Sequence, residues 1–357
     1  MSTGTRLRRE LTNIGTMAQR LAFDVERPQV DYLRNRDAMD LVPFVRGQAV
    51  DLAQLPQART DGEAEEMLAA ASMVAAVRLW RQTRVVYDID PHMSESLMDM
   101  DEDCEFPAAA LRRLPHPNPL FLFREPVTVT NYLGGTSAVR GFLLMLRPRL
   151  KSVLSTADID RCDHPIYAAI AVVDSFGGPD AQEETTLVEL TVPTSGGMTT
   201  VRKIIDGAAG IITVGDADTD QAALRDYILQ LQRVVIAHML YVCCDQADIQ
   251  APPSDQLLSR PDTKGKGKKA AARPVQIQRV GWRLGPSIHG FQTQVAHLAN
   301  LTGAGGWKVI PHVRKGHPHT FLHGPRKSLR KTLWLPPMLV NADAFGELAQ
   351  GIVVPVN

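Results

Sequence analysis

Apolar residues recur at three- and four-residue steps near the start of this chain and at alternate positions in its middle. Leu7, Leu11, Ile14, Met17 and Leu21 form the first such stripe and predict a helix from Met1 to about Glu26. Asp61 to Arg84 predicts a second helix. Asp61, Glu63, Glu65 and Glu66 open it and Arg78, Arg81 and Arg84 close it, the order that suits the helix dipole. Tyr87-Asp88-Ile89-Asp90-Pro91 follows, then an acidic stretch from Glu95 to Glu105. Phe106-Pro107 leads into a short helix, Ala108 to Leu114, which Pro115, Pro117 and Pro119 end. Leu120–Phe123, Gly141–Leu146 and Tyr167–Val173 are apolar runs of strand length. Gly134-Gly135 marks a turn, and Thr185–Val192 alternates as a half-buried strand does. Asp218–Cys244 predicts a long amphipathic helix, with Leu224, Tyr227, Leu231, Val234, Val235 and His238 on one side.

Ala251 to Pro274 breaks the pattern. It holds Pro252, Pro253, Pro261 and a Lys-Gly-Lys-Gly-Lys-Lys run, with almost nothing to bury, and reads as a solvated insertion. Val275–Leu284 then alternates like a strand, Gly303, Gly305 and Gly306 mark a turn before Trp307, and Thr332–Leu335 reads as a last strand ended by Pro336-Pro337. Helices first, strands in the middle and strands again at the end predict an α+β fold rather than a regular doubly wound sheet. The expected organisation is an N-terminal helical region (1–85) and an α+β core with a central mixed or antiparallel sheet and a long helix (86–250). A flexible basic linker or insertion (251–274) and a basic, β-rich, His/Trp-rich C-terminal region (275–357) complete it.

Charge changes this picture more than composition does. The apolar content of 44% and charged content of 22% are those of a chain that buries a core. Net charge is zero, but residues 263–342 contain 14 Lys or Arg and no acid, while residues 1–262 hold 25 bases against 37 acids, a balance of −12. That asymmetry points to a polyanion-binding end, or to two parts that hold each other. The four cysteines, Cys104, Cys162, Cys243 and Cys244, make no C-x-x-C pair, as expected for a reducing cytosol. Met1 to Glu10 has no apolar signal region, and no run of about 18 uncharged apolar residues exists. The expected compartment is the cytoplasm, with no membrane partner.

The candidate chemistry is concentrated near the C-terminus. His312, His317, His319 and His323 lie within twelve residues, and H-x-H on a strand puts His317 and His319 on one face. Neutral imidazoles ligate zinc, iron or copper, which makes His317 and His319 the candidate ligands if a metal is bound. The neighbouring Arg314 and Lys315 and the lack of nearby acids disfavour one, and no metal or other cofactor is expected. Trp282, Trp307 and Trp334 all sit in the acid-free region, where an exposed ring could stack on a base or, equally, form core. Asp99-Met100-Asp101-Glu102-Asp103 starts like a calcium-binding loop but has Cys104 where glycine is needed and Ala110 where glutamate is needed. It reads better as a solvated face or as a partner for the basic end. Asp88 and Asp90 could pair as metal-binding carboxylates, or simply reflect alternation before Pro91. There is no phosphate loop, dinucleotide fingerprint, nucleophile elbow or H-E-x-x-H motif. The reading leans away from an enzyme, with one assembled from distant residues as the open alternative.

The C-terminal string is also specific in its spacing. It runs Pro311-His312-Val313-Arg314-Lys315-Gly316-His317-Pro318-His319-Thr320, then His323-Gly324-Pro325-Arg326, then Lys331 to Trp334 and Leu335-Pro336-Pro337-Met338-Leu339-Val340-Asn341. It resembles the signature of the type V-A anti-CRISPR family, whose members lower the level of the CRISPR effector nuclease rather than block its finished active site. The chain matches at His312, Val313, Arg314, His317, His319, Gly324, Trp334, Pro336, Pro337, Val340 and Asn341, and departs at Pro318 and Leu322, where aromatic residues are usual. The resemblance implies a phage or plasmid protein acting in the bacterial cytoplasm. Its implied partners are the nascent chain of the effector or its mRNA, and the ribosome that carries them. The residues expected to make that contact are His312, Arg314, Lys315, His317, His319, His323, Arg326 and Trp334. Two alternatives stand beside it: a metal-dependent nuclease using the histidines with Asp88 or Asp90, or a general RNA-binding protein. A third is a partner-binding protein whose basic end docks on its own acidic half.

Overall fold

Every side chain of Val85–Ile89 is buried, so this strand needs cover on both faces. The sheet around it supplies neighbours and two layers of helices supply the cover. The structure, a computed structural model, describes residues 3–39, 41–44, 61–147, 166–176, 183–191, 197–209, 220–251, 274–302 and 312–340. In chain order its elements are α1 (Thr3–Asn35), α2 (Leu41–Phe44), α3 (Asp61–Thr83), β1 (Val85–Ile89), α4 (Pro91–Met98), β2 (Phe106–Pro107), β3 (Leu120–Thr130), β4 (Thr136–Arg147), β5 (Ile166–Phe176), β6 (Glu183–Thr191), β7 (Met198–Thr199), α5 (Val201–Ala209), α6 (Gln221–Cys243), β8 (Ile249–Gln250), β9 (Gln276–Val280), α7 (Leu284–Thr302), β10 (His312–Arg314), β11 (His317–His323), β12 (Leu329–Leu335) and β13 (Met338–Val340).

Seven strands form one sheet in the order β6-β5-β4-β3-β1-β9-β8. β3 to β6 are antiparallel, β1 runs parallel to both β3 and β9, and β8 closes the edge antiparallel to β9. This mixed sheet with its helices bears out the α+β expectation. Alternation divides the core. Val86, Leu120, Leu122, Leu143 and Ile277 face α1 and α3, packing with Leu11, Ile14, Ala18, Leu21, Val74, Val77 and Trp80. Tyr87, Ile89, Phe121, Phe123, Phe142 and Leu144 face the other way, against α4, α6 and α7. Pro126 lacks a ladder donor, and the β3–β4 register shifts between Leu122 and Val127.

Some local expectations change. α1 continues through Pro28 to Asn35 because Val25 and Leu33, on either side of the proline, are both fully buried. Its buried stripe runs through Ala18, and Met17 faces solvent at 46% exposure. α7 was not expected. Its helical face carries Ile288 and Phe291, but its opening Gly285-Pro286-Ser287 gives little local start signal. The start is fixed from a distance, by Asp248, whose carboxylate accepts from the backbone N–H of Arg283 (2.7 Å) and Leu284 (3.0 Å) and from Arg283 Nε (2.7 Å). Gly281 enables that turn with φ +76 and with Met93 packed where a side chain would stand. β12 is followed by a further strand, β13. The linker between Ala251 and Pro274, the Gly303–Gly306 turn and Trp307 lie outside the described residues. Among those described, no helix is long and apolar enough to cross a membrane.

Candidate functional site

Alternation along His317–His323 dictates the geometry of the C-terminal element. β11 and β12 form an antiparallel hairpin in which His317 faces Leu335, His319 faces Leu333, Phe321 faces Lys331 and His323 faces Leu329. His317, His319, Phe321 and His323 therefore share one face with Leu329, Lys331 and Leu333. Pro318, Thr320 and Leu322 share the other with Arg330, Thr332 and Trp334.

The base of the hairpin is clamped to the core. Trp334 is 8% exposed and meets Tyr241 edge-on at 5.8 Å between ring centres. Gly316 passes so close to the indole that a side-chain carbon there would stand 2.7 Å from Trp334 Cζ2. Thr332 N–H donates to Asp245 Oδ2 (2.9 Å), Asp245 N–H donates back to Thr332 O (2.7 Å), and Arg113 pairs with the same carboxylate (2.7 Å). The acidic stretch after α4 holds the neighbouring turn: Lys315 Nζ lies 2.8 Å from Asp99 and Asp101 N–H donates to Gly316 O (3.1 Å). Its other acids are engaged by Arg233, 2.5 Å from Glu102, and Arg202, 2.6 Å from Asp103. Lys315 with Asp99 is one of the pairings between the basic end and the acidic part that the charge asymmetry suggested; Arg283 with Asp248 and Arg279 with Glu10 are others, away from the hairpin. Cys104 is held here too; burial and the Asp101 carboxylate push its thiol up to about 11, so it stays protonated.

Beyond the base the hairpin is open. Every residue from Phe321 to Arg330 is exposed, with Phe321 at 41%, Leu322 at 53% and Leu329 at 52%. His319 meets the Phe321 ring edge-on at 4.5 Å. Arg326 and Lys327 both take positive φ at the tip (54 and 57), and among the described residues no acidic side chain pairs with them, with Arg330 or with Lys331.

The expected contact residues thus divide. His319, His323 and Arg326 are on the exposed hairpin. His312 and Arg314 are exposed on a separate two-stranded piece, where β10 pairs with β13. Lys315 and His317 lie at the junction. His317 is 2% exposed; its Nδ1 donates to Lys315 O (3.0 Å), and its Nε2 has no hydrogen-bond partner among the described residues. Trp334 is on β12 at the hairpin's base, with its ring in the core. Phe321, missed by the sequence reading, could have been found from the same alternation that singled out His317 and His319.

The nuclease constellation is not brought together. Among the described residues, no group of three or more His, Cys, Asp or Glu side chains is placed to hold a metal. Asp90 caps α4 through Met93 N–H (3.0 Å). Asp88, fully buried, is gripped in two places by Arg124 (2.7 and 2.8 Å). Burial pushes the Asp88 carboxyl up against the opposing pull of Arg124 and Arg279. Arg124 also pairs with Glu10 of α1, as does Arg279 at 3.0 Å. Both guanidiniums lie on the Trp282 ring, at 4.0 and 4.5 Å from its centre, and Trp282 Nε1 donates to Asp88 O (3.1 Å). Trp282 is therefore occupied within the fold, tying α1 to the sheet.

Comparison with known proteins adds the following. The sequence model of the AcrVA2-like family, described as anti-CRISPR type V subtype A2, matches residues 87–342, more than half of the chain. The crystal structure of AcrVA2 aligns with 96% of this chain and 100% of its own at 18% identity, with a TM-score of 0.46. No curated protein matches.

Proposed function

As the chain belongs to the anti-CRISPR type V subtype A2 family, and is an anti-CRISPR protein, we propose that it lowers the level of a type V-A CRISPR effector nuclease by acting on the nascent chain and its transcript. The contact is made by the open part of the β11–β12 hairpin. Trp334, His317 and Lys315 hold that element in place, and His312 and Arg314 on β10 extend the contact. This reading places the protein in the bacterial cytoplasm, as the product of a phage or plasmid, working where the effector is being translated.

One observation carries the reading: a cationic hairpin whose base is fixed by Asp245, Asp99 and Tyr241 and whose tip, Phe321 to Arg330, is exposed. Fixing the base removes conformational freedom before a partner arrives, which strengthens binding. Arg326, Lys327, Arg330 and Lys331 are attractive to the polyanionic surroundings of a translating ribosome, and steering of this kind raises the rate of encounter. Arg326, Lys327 and Arg330 lie in the exposed tip and Lys331 just behind it, and ion pairs on a surface add little stability, so this cluster is suited to a partner.

Co-expression with a type V-A effector tests it. Effector protein, measured by immunoblot, and effector transcript, measured by quantitative amplification, should both fall with the wild type and recover with Arg326→Glu plus Lys327→Glu. Unchanged effector protein with the wild type would sink the reading.

A further inference from the structure

We propose that the hairpin face bearing His319 and Phe321 is a binding site for single-stranded RNA, in which unpaired bases stack on the Phe321 and His319 rings while Lys331, Arg326 and Lys327 meet phosphates. The proposal deepens the reading above by assigning this face to the transcript rather than to the nascent peptide.

The register places a cation directly opposite an exposed aromatic ring: Phe321 pairs with Lys331, and His319 stands one step along the same face. The two rings are 4.5 Å apart between centres and 70° to one another, so they offer two differently directed platforms instead of a closed aromatic stack. A base has a π-face whatever its identity, and stacking on an exposed ring is tolerant of sequence. Bases in a duplex already stack on each other, so rings of this kind select unpaired strands. The acid-free run from residue 263 to 342 reduces the repulsion that a phosphate chain would otherwise meet, and Asp99 and Asp245 are engaged at the hairpin's base. A peptide partner of ordinary charge gains little from this combination. The opposite side of the hairpin is not available in the same way, because Thr332 and Trp334 there are buried against the core.

The test is fluorescence anisotropy of a labelled twelve-nucleotide oligouridine with the purified full-length protein, across a sodium chloride series. Binding should weaken as salt rises, with a log–log slope near −2 if three phosphates are neutralised, at about 0.7 for each on a single strand. Phe321→Ala should weaken binding about ten-fold, within the range expected for losing one stacked base. Lys331→Gln should make the slope shallower by about 0.7. Phe321 is exposed and Lys331 half-exposed, and an unchanged melting curve confirms that each variant is folded. A self-complementary RNA duplex should bind more weakly than the single strand, and single-stranded DNA no more tightly than RNA. No binding at low salt, binding indifferent to Phe321→Ala, a preference for duplex or DNA, or capture by this face of an effector N-terminal peptide in place of RNA would each overturn the assignment. Its failure in this purified system is separate from failure of the functional reading, which is decided by effector levels in cells.

Discussion

Replacing Trp334 and replacing Phe321 should have opposite profiles, although both are large aromatic residues of the same hairpin. Trp334 is 8% exposed and packs edge-on against Tyr241. Truncation of a buried tryptophan to alanine costs about 3–5 kcal/mol from lost transfer energy and the cavity left behind. The indole N–H has no partner among the described residues, so no hydrogen bond is lost and the cost falls near the lower end, about 3 kcal/mol. That is a large part of a typical total of about 5–15 kcal/mol. Trp334→Phe keeps a ring against Tyr241 and should lose about 1–2 kcal/mol. Phe321 is 41% exposed, and its removal should cost at most about 1 kcal/mol, the span of strand preference. Urea unfolding followed by circular dichroism measures these values, and co-expression with the effector measures activity. Trp334→Phe should stay active despite reduced stability, and Phe321→Ala should be stable but inactive. If Trp334→Ala costs less than about 1 kcal/mol, or if Phe321→Ala is as destabilising as Trp334→Ala, the division into support and contact is wrong.

Three further outcomes follow from the same structure. Asp248→Ala removes the distant cap of α7 and a buried acceptor of charged and backbone donors, and should cost about 3 kcal/mol in urea unfolding. Burial raises the Asp248 carboxyl, but the hydrogen bonds from Gln250, Arg283 and Leu284 outweigh it and the net shift is downward; its contribution is present above about pH 4 and fades as pH falls through the lowered value, a fade that Asp248→Asn should abolish. His238 is fully buried, donates through Nδ1 to Val234 O (2.7 Å) and accepts the Ser94 hydroxyl on Nε2 (2.9 Å); burial lowers its pKa to about 4. The unfolded histidine takes up its proton below about pH 6.5, so stability should fall from there towards pH 4 by about 3 kcal/mol, and His238→Gln should flatten that slope; an unaltered slope would show that another group sets it. Gly316→Ala should drive a methyl into the Trp334 ring and cost about 1–3 kcal/mol by overpacking, detectable as a lowered midpoint; a neutral result would mean that the turn has room to shift.

Legibility in the sequence followed the range of the interaction responsible. α3 and α6 were readable because their periodicity and end residues are local; Asp220, which caps α6 by accepting from Ala222 and Ala223 N–H (3.0 and 3.2 Å), lies one position before the helix. α7 was not readable because its cap, Asp248, is 36 positions from Leu284. The order of the sheet was likewise hidden, since β1 is flanked by β3, close in sequence, and by β9, whose Arg279 pairs with Asp88 from far along the chain. At the site, the string from His312 to Asn341 located the element but not its layers. A motif marks residues without saying whether packing or contact retains them, and only burial separates Trp334 and His317 from His319 and Arg326. Composition found the charge imbalance, yet not that Asp99 and Asp245 engage only the hairpin's base.

The most direct test of the account is the level of a type V-A effector, as protein and as transcript, in cells expressing the wild type or the double variant His319→Ala plus Phe321→Ala, with both anti-CRISPR proteins confirmed at equal abundance. The account predicts that protein and transcript fall together with the wild type and return to the uninhibited level with the variant. Effector protein and transcript that fall equally with both would contradict the claim that this hairpin face makes the contact.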